Sequence, residues 1–277
     1  MYYLKIIVKK ILKFFNLEVL PVDNRKAYLV GPIKNTRSYA MFFKRILLNG
    51  YSITNDEIIK KLIKTDSPII FDVGASHGDS IERFKALFQN SYIYSFEPLK
   101  KEFDLIKKKE TDKIKCFNFA FGDIEEEKKF NVYDGMSFFS SFNKYNDQYF
   151  KPGDNKFSNY NVKIKTLDNF LKDQKIINKI DLLKIDTQGY EEKILEGGKE
   201  AIKNNLFKII EIELQIGNLY RESHKNFIDI EKHLIKNNYR LISIDRWGNL
   251  LQKPYLEFNL IYVCKKYFEI WNDTNVI

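Results

Sequence analysis

From residue 67 onward the chain alternates between short apolar runs and longer stretches whose apolar residues recur every three or four positions. Residues 69–73 form an apolar run, as expected of a strand covered on both faces. The periodicity then predicts a helix over 77–88, with Ile81, Phe84, Leu87 and Phe88 on one side. A second strand at 92–96 is closed by Glu97-Pro98, where Pro98 suits the first turn of a helix carrying Phe103 and Ile106. "KIKCFNFAF" at 113–121 reads as a third strand, and 181–186 as a fourth followed by a helix over 189–204. A fifth strand at 208–214, a helix at 227–237 and strands at 239–245 and 258–264 complete the pattern. Between the third and fourth strands, 122–165 is polar and aromatic and reads as a hairpin followed by a loop. Repeated β-α-β units with buried strands predict an α/β, doubly wound, mostly parallel sheet over 67–277, with a variable insert around 122–165.

The first 66 residues read as a helical extension. In "MYYLKIIVKKILKFF", Leu4, Ile7, Val8, Ile11, Leu12 and Phe15 share a helical face bordered by Lys5, Lys9 and Lys13. Such a basic amphipathic helix can lie in a membrane interface or dock on the main domain, which is the commoner fate. Lysines interrupt it too often for a signal-peptide core, and no small-residue cleavage site follows. No apolar run approaches the roughly 18–20 residues of a membrane span.

Composition adjusts this picture only slightly. At 277 residues with 44% hydrophobic and 30% charged residues, the chain can bury one sizeable core. The net charge of +9 is almost all lysine, with seven arginines spread along the chain. Arginine is the residue that reads bases and clamps phosphates, so a nucleic-acid partner is not expected. Cys116 and Cys264 show no ligand spacing and read as two buried thiols.

The chemistry concentrates in "PIIFDVGASHGDS". In a doubly wound sheet, ligands bind at the carboxyl ends of the strands. Gly74 and Gly78 bracket the first strand-to-helix turn, and Glu97 ends the second strand, where an acid takes the ribose hydroxyls of a bound nucleoside. A dinucleotide site wants G-x-G-x-x-G. Here the spacing is Asp72-x-Gly74-x-x-x-Gly78, with Ser76 in place of a middle glycine. An acid so placed would repel a pyrophosphate and suits a ligand with a cationic aminoacyl end. S-adenosylmethionine fits that description better than a nicotinamide dinucleotide.

The segments "FDVGASHGDSIERF", "SFEP", "NFAFGD", "IKTLDNFL", "LLKIDTQGYEEKILEGG" and "IIEIEL" occur in this order. In order and spacing the chain resembles the FkbM-type methyltransferases over about residues 67–264. The resemblance implies a Rossmann-like class I methyltransferase fold, a seven-stranded sheet with an antiparallel last strand. It implies S-adenosylmethionine as cofactor and O-methylation of a hydroxyl on a sugar, glycan, glycolipid or related metabolite. Carried over, Asp72 and the loop Gly74, Ala75, Ser76, His77 and Gly78 would hold the methionine side. Glu97 would hold the ribose, and Ala120, Phe121 and Asp123 would lie near the adenine. Two positions depart from the family pattern: Gln188, where many members carry an acid, and Ser76, where asparagine is common. A neutral Gln188 weakens any metal site shared with Asp186, so no metal ligands are assigned.

A sugar hydroxyl is a poor nucleophile, and a carboxylate within reach must take its proton or orient it. Asp186 at the end of the fourth strand is the first candidate, Glu213 on the fifth the second and Glu191 the third. Capping of the following helix competes for Asp186, and for Glu191 a first-turn acid balancing the helix dipole is the simpler account. The expected enzyme is cytoplasmic, or peripheral at the inner face of a membrane. Three alternatives fit less well. A nucleic-acid methyltransferase transferring to amino groups would carry Asn-Pro-Pro-aromatic where this chain has Asp-Thr-Gln-Gly. A nicotinamide-dependent sugar oxidoreductase is disfavoured by the glycine spacing, and a nucleotide-binding protein without activity by the retained acids.

Overall fold

The computed structural model describes residues 18–21, 27–30, 54–133, 140–144, 157–176, 179–217, 226–247 and 255–267. Contacts divide the chain into two units, 1–58 and 59–277. In the first, β1 (Glu18–Pro21) pairs antiparallel with β2 (Ala27–Val30). The segment expected to be wholly helical therefore contains a strand pair. The amphipathic stretch at 1–15 lies outside the described residues. The helix α1 (Asn55–Leu62) opens on a capping box, in which Thr54 Oγ1 accepts from the Glu57 amide and Glu57 Oε2 from the Thr54 amide.

The second unit is built on seven strands: β3 (Ile69–Val73), β4 (Tyr92–Phe96), β5 (Ile114–Phe117), β9 (Ile180–Ile185), β10 (Phe207–Gly217), β11 (Tyr239–Trp247) and β12 (Tyr255–Cys264). Their spatial order is β11-β12-β10-β9-β3-β4-β5. All neighbours pair in parallel except β12, which runs antiparallel to both β10 and β11. This is the expected seven-stranded sheet, with order reversing between β3 and β9. Such a reversal opens a crevice at the strands' carboxyl ends.

Strand pairing sorts the side chains into two unlike faces. Phe71 and Phe96 lie on one face beneath α4 (Leu167–Asp173), where Phe170 meets them edge-on at 6.1 and 5.1 Å between ring centroids. On the other face, parallel register aligns Ser95, Asp72, Lys184 and Glu211 in a polar row. The helix α2 (Asp79–Leu87) covers that row: Arg83 forms a bidentate pair with Glu211 at 2.9 and 3.0 Å.

Several boundaries differ from those expected, each for a local reason. The helix after β3 begins at Asp79 rather than 77, because Ser76 (φ 46) and Gly78 (φ 84) hold the left-handed region. Pro98 precedes rather than opens α3 (Lys100–Lys107). The expected strand 113–121 splits in two. Asn118 donates from its side chain to the carbonyls of Glu97 and Pro98, both at 2.9 Å, and the chain beyond it leaves the main sheet. β6 (Ala120–Phe121) joins β8 (Phe157–Lys165), which pairs with β7 (Glu126–Tyr133) in a separate three-stranded sheet. The expected hairpin is thus β7–β8. The helix over 189–204 is two, α5 (Glu191–Gly197) and α6 (Lys199–Lys203). At the break, a Cβ on Gly197 would stand 1.9 Å from the Gly122 carbonyl oxygen, so α5 ends backbone-to-backbone against the turn leading into β7. A further helix, α7 (Asn226–Lys236), follows β10. Cys116 and Cys264 are buried, as expected, and neither is in a disulfide.

Candidate active site

A cavity of about 360 Å³ opens at the carboxyl ends of β3, β4, β9 and β10. That is within the range of small-molecule sites. The turn after β3 contributes Gly74 and Ser76, and Glu97 stands at the end of β4. Phe119, Ala120 and Phe121 form an apolar wall, and Asp186, Gln188 and Glu213 stand opposite.

The glycine turn is shaped first by the protein itself. Gly74 sits at φ +82, and a Cβ there would lie 1.9 Å from the Asp186 carbonyl oxygen. The Gly74 and Ala75 amides both donate to the Phe96 carbonyl, at 3.0 and 3.1 Å. Ser76 N donates to Glu97 Oε2 and Leu99 N to Oε1, both at 2.9 Å. Glu97 is only 6% exposed. Burial pushes its carboxyl up to about 7, against the two amide hydrogen bonds, with Glu102 and Asp72 adding repulsion. Each Glu97 oxygen retains acceptor capacity towards the cavity.

Not every expected cofactor residue reaches the cavity. Asp72 is fully buried in the sheet's polar row: its Oδ2 accepts from Ser80 at 2.5 Å and Ser95 at 3.2 Å, and its Oδ1 lies 3.4 Å from Lys184 Nζ. It fixes the turn rather than facing a ligand. Ala75 is buried beneath the loop and Gly78 caps α2, while His77 is exposed with Nδ1 3.3 Å from Ser76 Oγ. None of the three lines the cavity. Asp123 also lies away from it, paired with Lys193 at 2.9 Å.

The opposite wall is a chain of side-chain hydrogen bonds. Asp186 Oδ2 lies 3.3 Å from Lys184 Nζ, and its Oδ1 accepts from Gln188 Nε2 at 3.2 Å. The same Gln188 amide donates to Glu213 Oε2 at 3.0 Å. Gln215 donates to Gln188 Oε1 at 2.7 Å and to Glu257 at 3.2 Å. Gln188 holds φ 59, an uncommon conformation for a residue other than glycine. Burial opposes the Asp186 charge, but Lys184 and the surrounding hydrogen bonds outweigh it and hold the carboxyl below its ordinary range. Glu213 is driven well above its range, chiefly by burial and then by the Asp186 charge. Lys184 is raised, burial being outweighed by Asp186 and Asp72.

Glu191, the third candidate, does not face the cavity. Its Oε1 accepts from the Thr187 and Gly189 amides and from Thr187 Oγ1, all at 3.0 Å, and the side chain is 1% exposed. It braces the turn after β9. Ser140 and Phe142, from the tract 135–150 whose serine and aromatic side chains the sequence offers for a sugar, line the cavity, whereas sequence reasoning missed Glu102, Phe130, Tyr190 and Glu257, which line it too. Glu257 is set opposite Gln215 by antiparallel pairing of β12 with β10, a register that the chain's local pattern does not record. Among the described residues, no group of three or more His, Cys, Asp or Glu is arranged to hold a metal ion, and no helix is long and apolar enough to cross a membrane.

A parallel sheet of this order with one antiparallel strand, and a glycine turn bonded to a buried acid at a carboxyl-end cavity, is the arrangement expected of a Rossmann-like class I methyltransferase fold. Residues 72–241 match the family described as the methyltransferase FkbM domain, and the chain belongs to that family. Solved structures similar to it include Mycoplasma capricolum TrmK in complex with S-adenosylhomocysteine, at 13% identity, covering 77% of this chain and 70% of that one with a TM-score of 0.41. An rRNA methylase from Streptococcus thermophilus is similar at 9% identity, with 76% and 93% covered and a TM-score of 0.43. The METTL16 methyltransferase domain is similar at 10% identity, with 90% and 86% covered and a TM-score of 0.45. No curated protein matches the chain.

Proposed function

We propose that the chain transfers a methyl group from S-adenosylmethionine to a hydroxyl of a sugar, glycan, glycolipid or related metabolite, with Asp186 receiving the acceptor proton. The cavity suits the cofactor's parts. Glu97, with two amides already fixing its carboxylate, would take the ribose hydroxyls. Ala120 and Phe121 would flank the adenine, and the Gly74–Ser76 turn would receive the methionine end. When bound, the cofactor supplies an electrophilic methyl group on a sulfonium.

The chain's own residues supply position and charge. In-line displacement gains most from holding the two partners in contact geometry. Asp186 faces the cavity as an anion whose two oxygens are held by Lys184 and Gln188. A hydroxyl donating to it is oriented in the ground state, and its proton passes to the carboxylate as the C–O bond forms, when the oxygen becomes strongly acidic. Glu213 beside it, pushed well above its ordinary range by burial and by the Asp186 charge, disfavours a second negative charge on the pair. Asp186's position, in the cavity yet outside the hydrogen bonds that hold Glu97, is the observation that carries this reading.

The small volume of the cavity, about 360 Å³, and the scarcity of arginine favour a small-molecule or glycan acceptor over nucleic acid. This reading places the enzyme in the cytoplasm, where its cofactor is made, with the basic stretch at 1–15 available for contact with the inner membrane face. The test is Asp186→Asn. Turnover of methyl-labelled cofactor with a panel of free and lipid-linked glycans should fall about 100-fold or more, while S-adenosylhomocysteine affinity by calorimetry stays within about threefold of wild type. Retained turnover, or affinity lost in step with it, overturns the assignment. Methylation of tRNA but of no glycan would overturn the acceptor class.

A further inference from the structure

One wall of the cavity is not needed for methyl transfer as such. Residues 140–144 form a strap between the small sheet and the turn after β9. On one side, Asn131 and Ser141 form a two-bond antiparallel bridge, at 2.9 and 3.1 Å, and Asn131 Nδ2 donates to the carbonyls of Phe142 and Asn143. On the other, Ser141 Oγ donates to the Gln188 carbonyl and Asn143 Nδ2 to the Gly189 carbonyl, each at 2.7 Å. The strap is therefore pinned to Gln188, a residue of the acidic wall, and to its neighbour Gly189.

So held, it presents two side chains of different chemistry. The Phe142 ring stands 4.8 Å from Phe130 and 4.5 Å from Tyr190, centroid to centroid, and all three rings line the cavity. Ser140 also lines it, and is only 7% exposed. Among the described residues its Oγ is buried without a hydrogen-bond partner, an arrangement that costs stability unless a ligand or water satisfies it. An aromatic surface beside an unsatisfied hydroxyl matches a saturated ring with an apolar C–H face and a polar rim. A phenol carries an aromatic face as well as a hydroxyl and is the competing ligand a test must separate, whereas an acyclic polyol offers hydroxyls without a C–H face.

Resting on the function proposed above, we infer that Ser140 and Phe142 form the acceptor subsite, taking a pyranose-type ring with its C–H face on Phe142 and one hydroxyl bonded to Ser140 Oγ. The bonds from Ser141 and Asn143 to the 188–189 backbone then set the distance from this subsite to Asp186. They make the strap the element that decides which hydroxyl of the ring is offered.

The experiment is saturation-transfer NMR on the full chain with S-adenosylhomocysteine bound. The probes are methyl glycopyranosides of glucose, galactose, mannose, rhamnose and glucuronic acid, with sorbitol and catechol as controls. At least one pyranoside should receive saturation on its ring C–H protons, and the two controls should not. Phe142→Leu, which keeps apolar volume without the ring, should weaken that ligand by about tenfold. Ser140→Ala should weaken it about three- to tenfold without lowering the melting temperature of the free protein, an outcome a structural serine would not give. Both variants should retain S-adenosylhomocysteine affinity. Cofactor binding with no pyranoside signal, stronger transfer to catechol, or pyranoside binding unchanged in both variants would each overturn the subsite. Failure to bind S-adenosylhomocysteine at all would instead overturn the function on which it rests.

Discussion

The carboxyl of Glu97 makes cofactor binding depend on pH, and the size of the effect can be worked out. In the free protein burial lifts it from 4.5 to about 7, on the order of 3 kcal/mol at about 1.4 kcal/mol per pH unit. The folded protein holds this proton more tightly than the unfolded chain. Glu97 therefore contributes stability that is fully present below about pH 4.5 and is lost as pH rises through about 7. A ribose places the opposite demand on it. With one amide already on each oxygen, only the ionised form has free lone pairs for two hydroxyls, so binding below neutrality must expel a proton. S-adenosylhomocysteine affinity should fall about tenfold, ~1.4 kcal/mol, between pH 8 and pH 6. Calorimetry in buffers of different ionisation enthalpy should show release approaching one proton at the lower pH and almost none at the higher. Glu97→Gln should remove both effects and lower the affinity at pH 8 by roughly 10- to 100-fold, the worth of hydrogen bonds to a charged group. Affinity flat from pH 6 to 8 with no proton release would refute the reasoning.

Other perturbations have equally definite outcomes. Lys184→Met leaves Asp72 and Asp186 without the ammonium that lies 3.4 and 3.3 Å away. It should cost about 3–5 kcal/mol in urea unfolding, and Asp72→Asn in the same chain should restore part of the loss, whereas strict additivity would show that the pair is not coupled. Gly74→Ala drives a methyl group into the Asp186 carbonyl at an unfavourable φ and should destabilise by at least ~2 kcal/mol, so a melting temperature equal to wild type would contradict the geometry. Cys116, 7% exposed and pushed by burial up to about 11, should resist a thiol reagent at pH 8 until denaturant is added, and labelling within minutes in the native state would show otherwise.

The frame of the molecule was open to reading because buried parallel strands are apolar along their length, and β3, β4, β9 and β10 stand within a few residues of where their runs placed them. Glu97 and Asp186 were legible for a related reason, since a charged residue closing such a run is conspicuous. Asp72 sits inside β3, as the run 69–73 placed it, but its partner is Lys184 of a neighbouring strand, 3.4 Å away. That pairing depends on strand order and register, which no local pattern records. The break in 113–121 rests on one side chain reaching about 20 residues back. The strap at 140–144 is held by hydrogen bonds between segments up to 47 residues apart. Its aromatic and serine content was visible in the chain, but not the cavity it faces.

The close approach of Gly197 to the Gly122 carbonyl bears on how such a protein can be varied. At that point the three-stranded sheet is joined to the frame by main chain on both sides, so a side chain on Gly197 cannot be accommodated by a compensating change in a neighbour. Farther out, β7 and β8 pair with each other and bury Phe130, Val132, Val162 and Ile164 in the core of the frame, so an exchanged segment must keep those four positions apolar. Chimeras between relatives should therefore be cut after the Gly122 turn and before Thr166. Everything between those joints is then an interchangeable cartridge, and the joints themselves are its fixed socket.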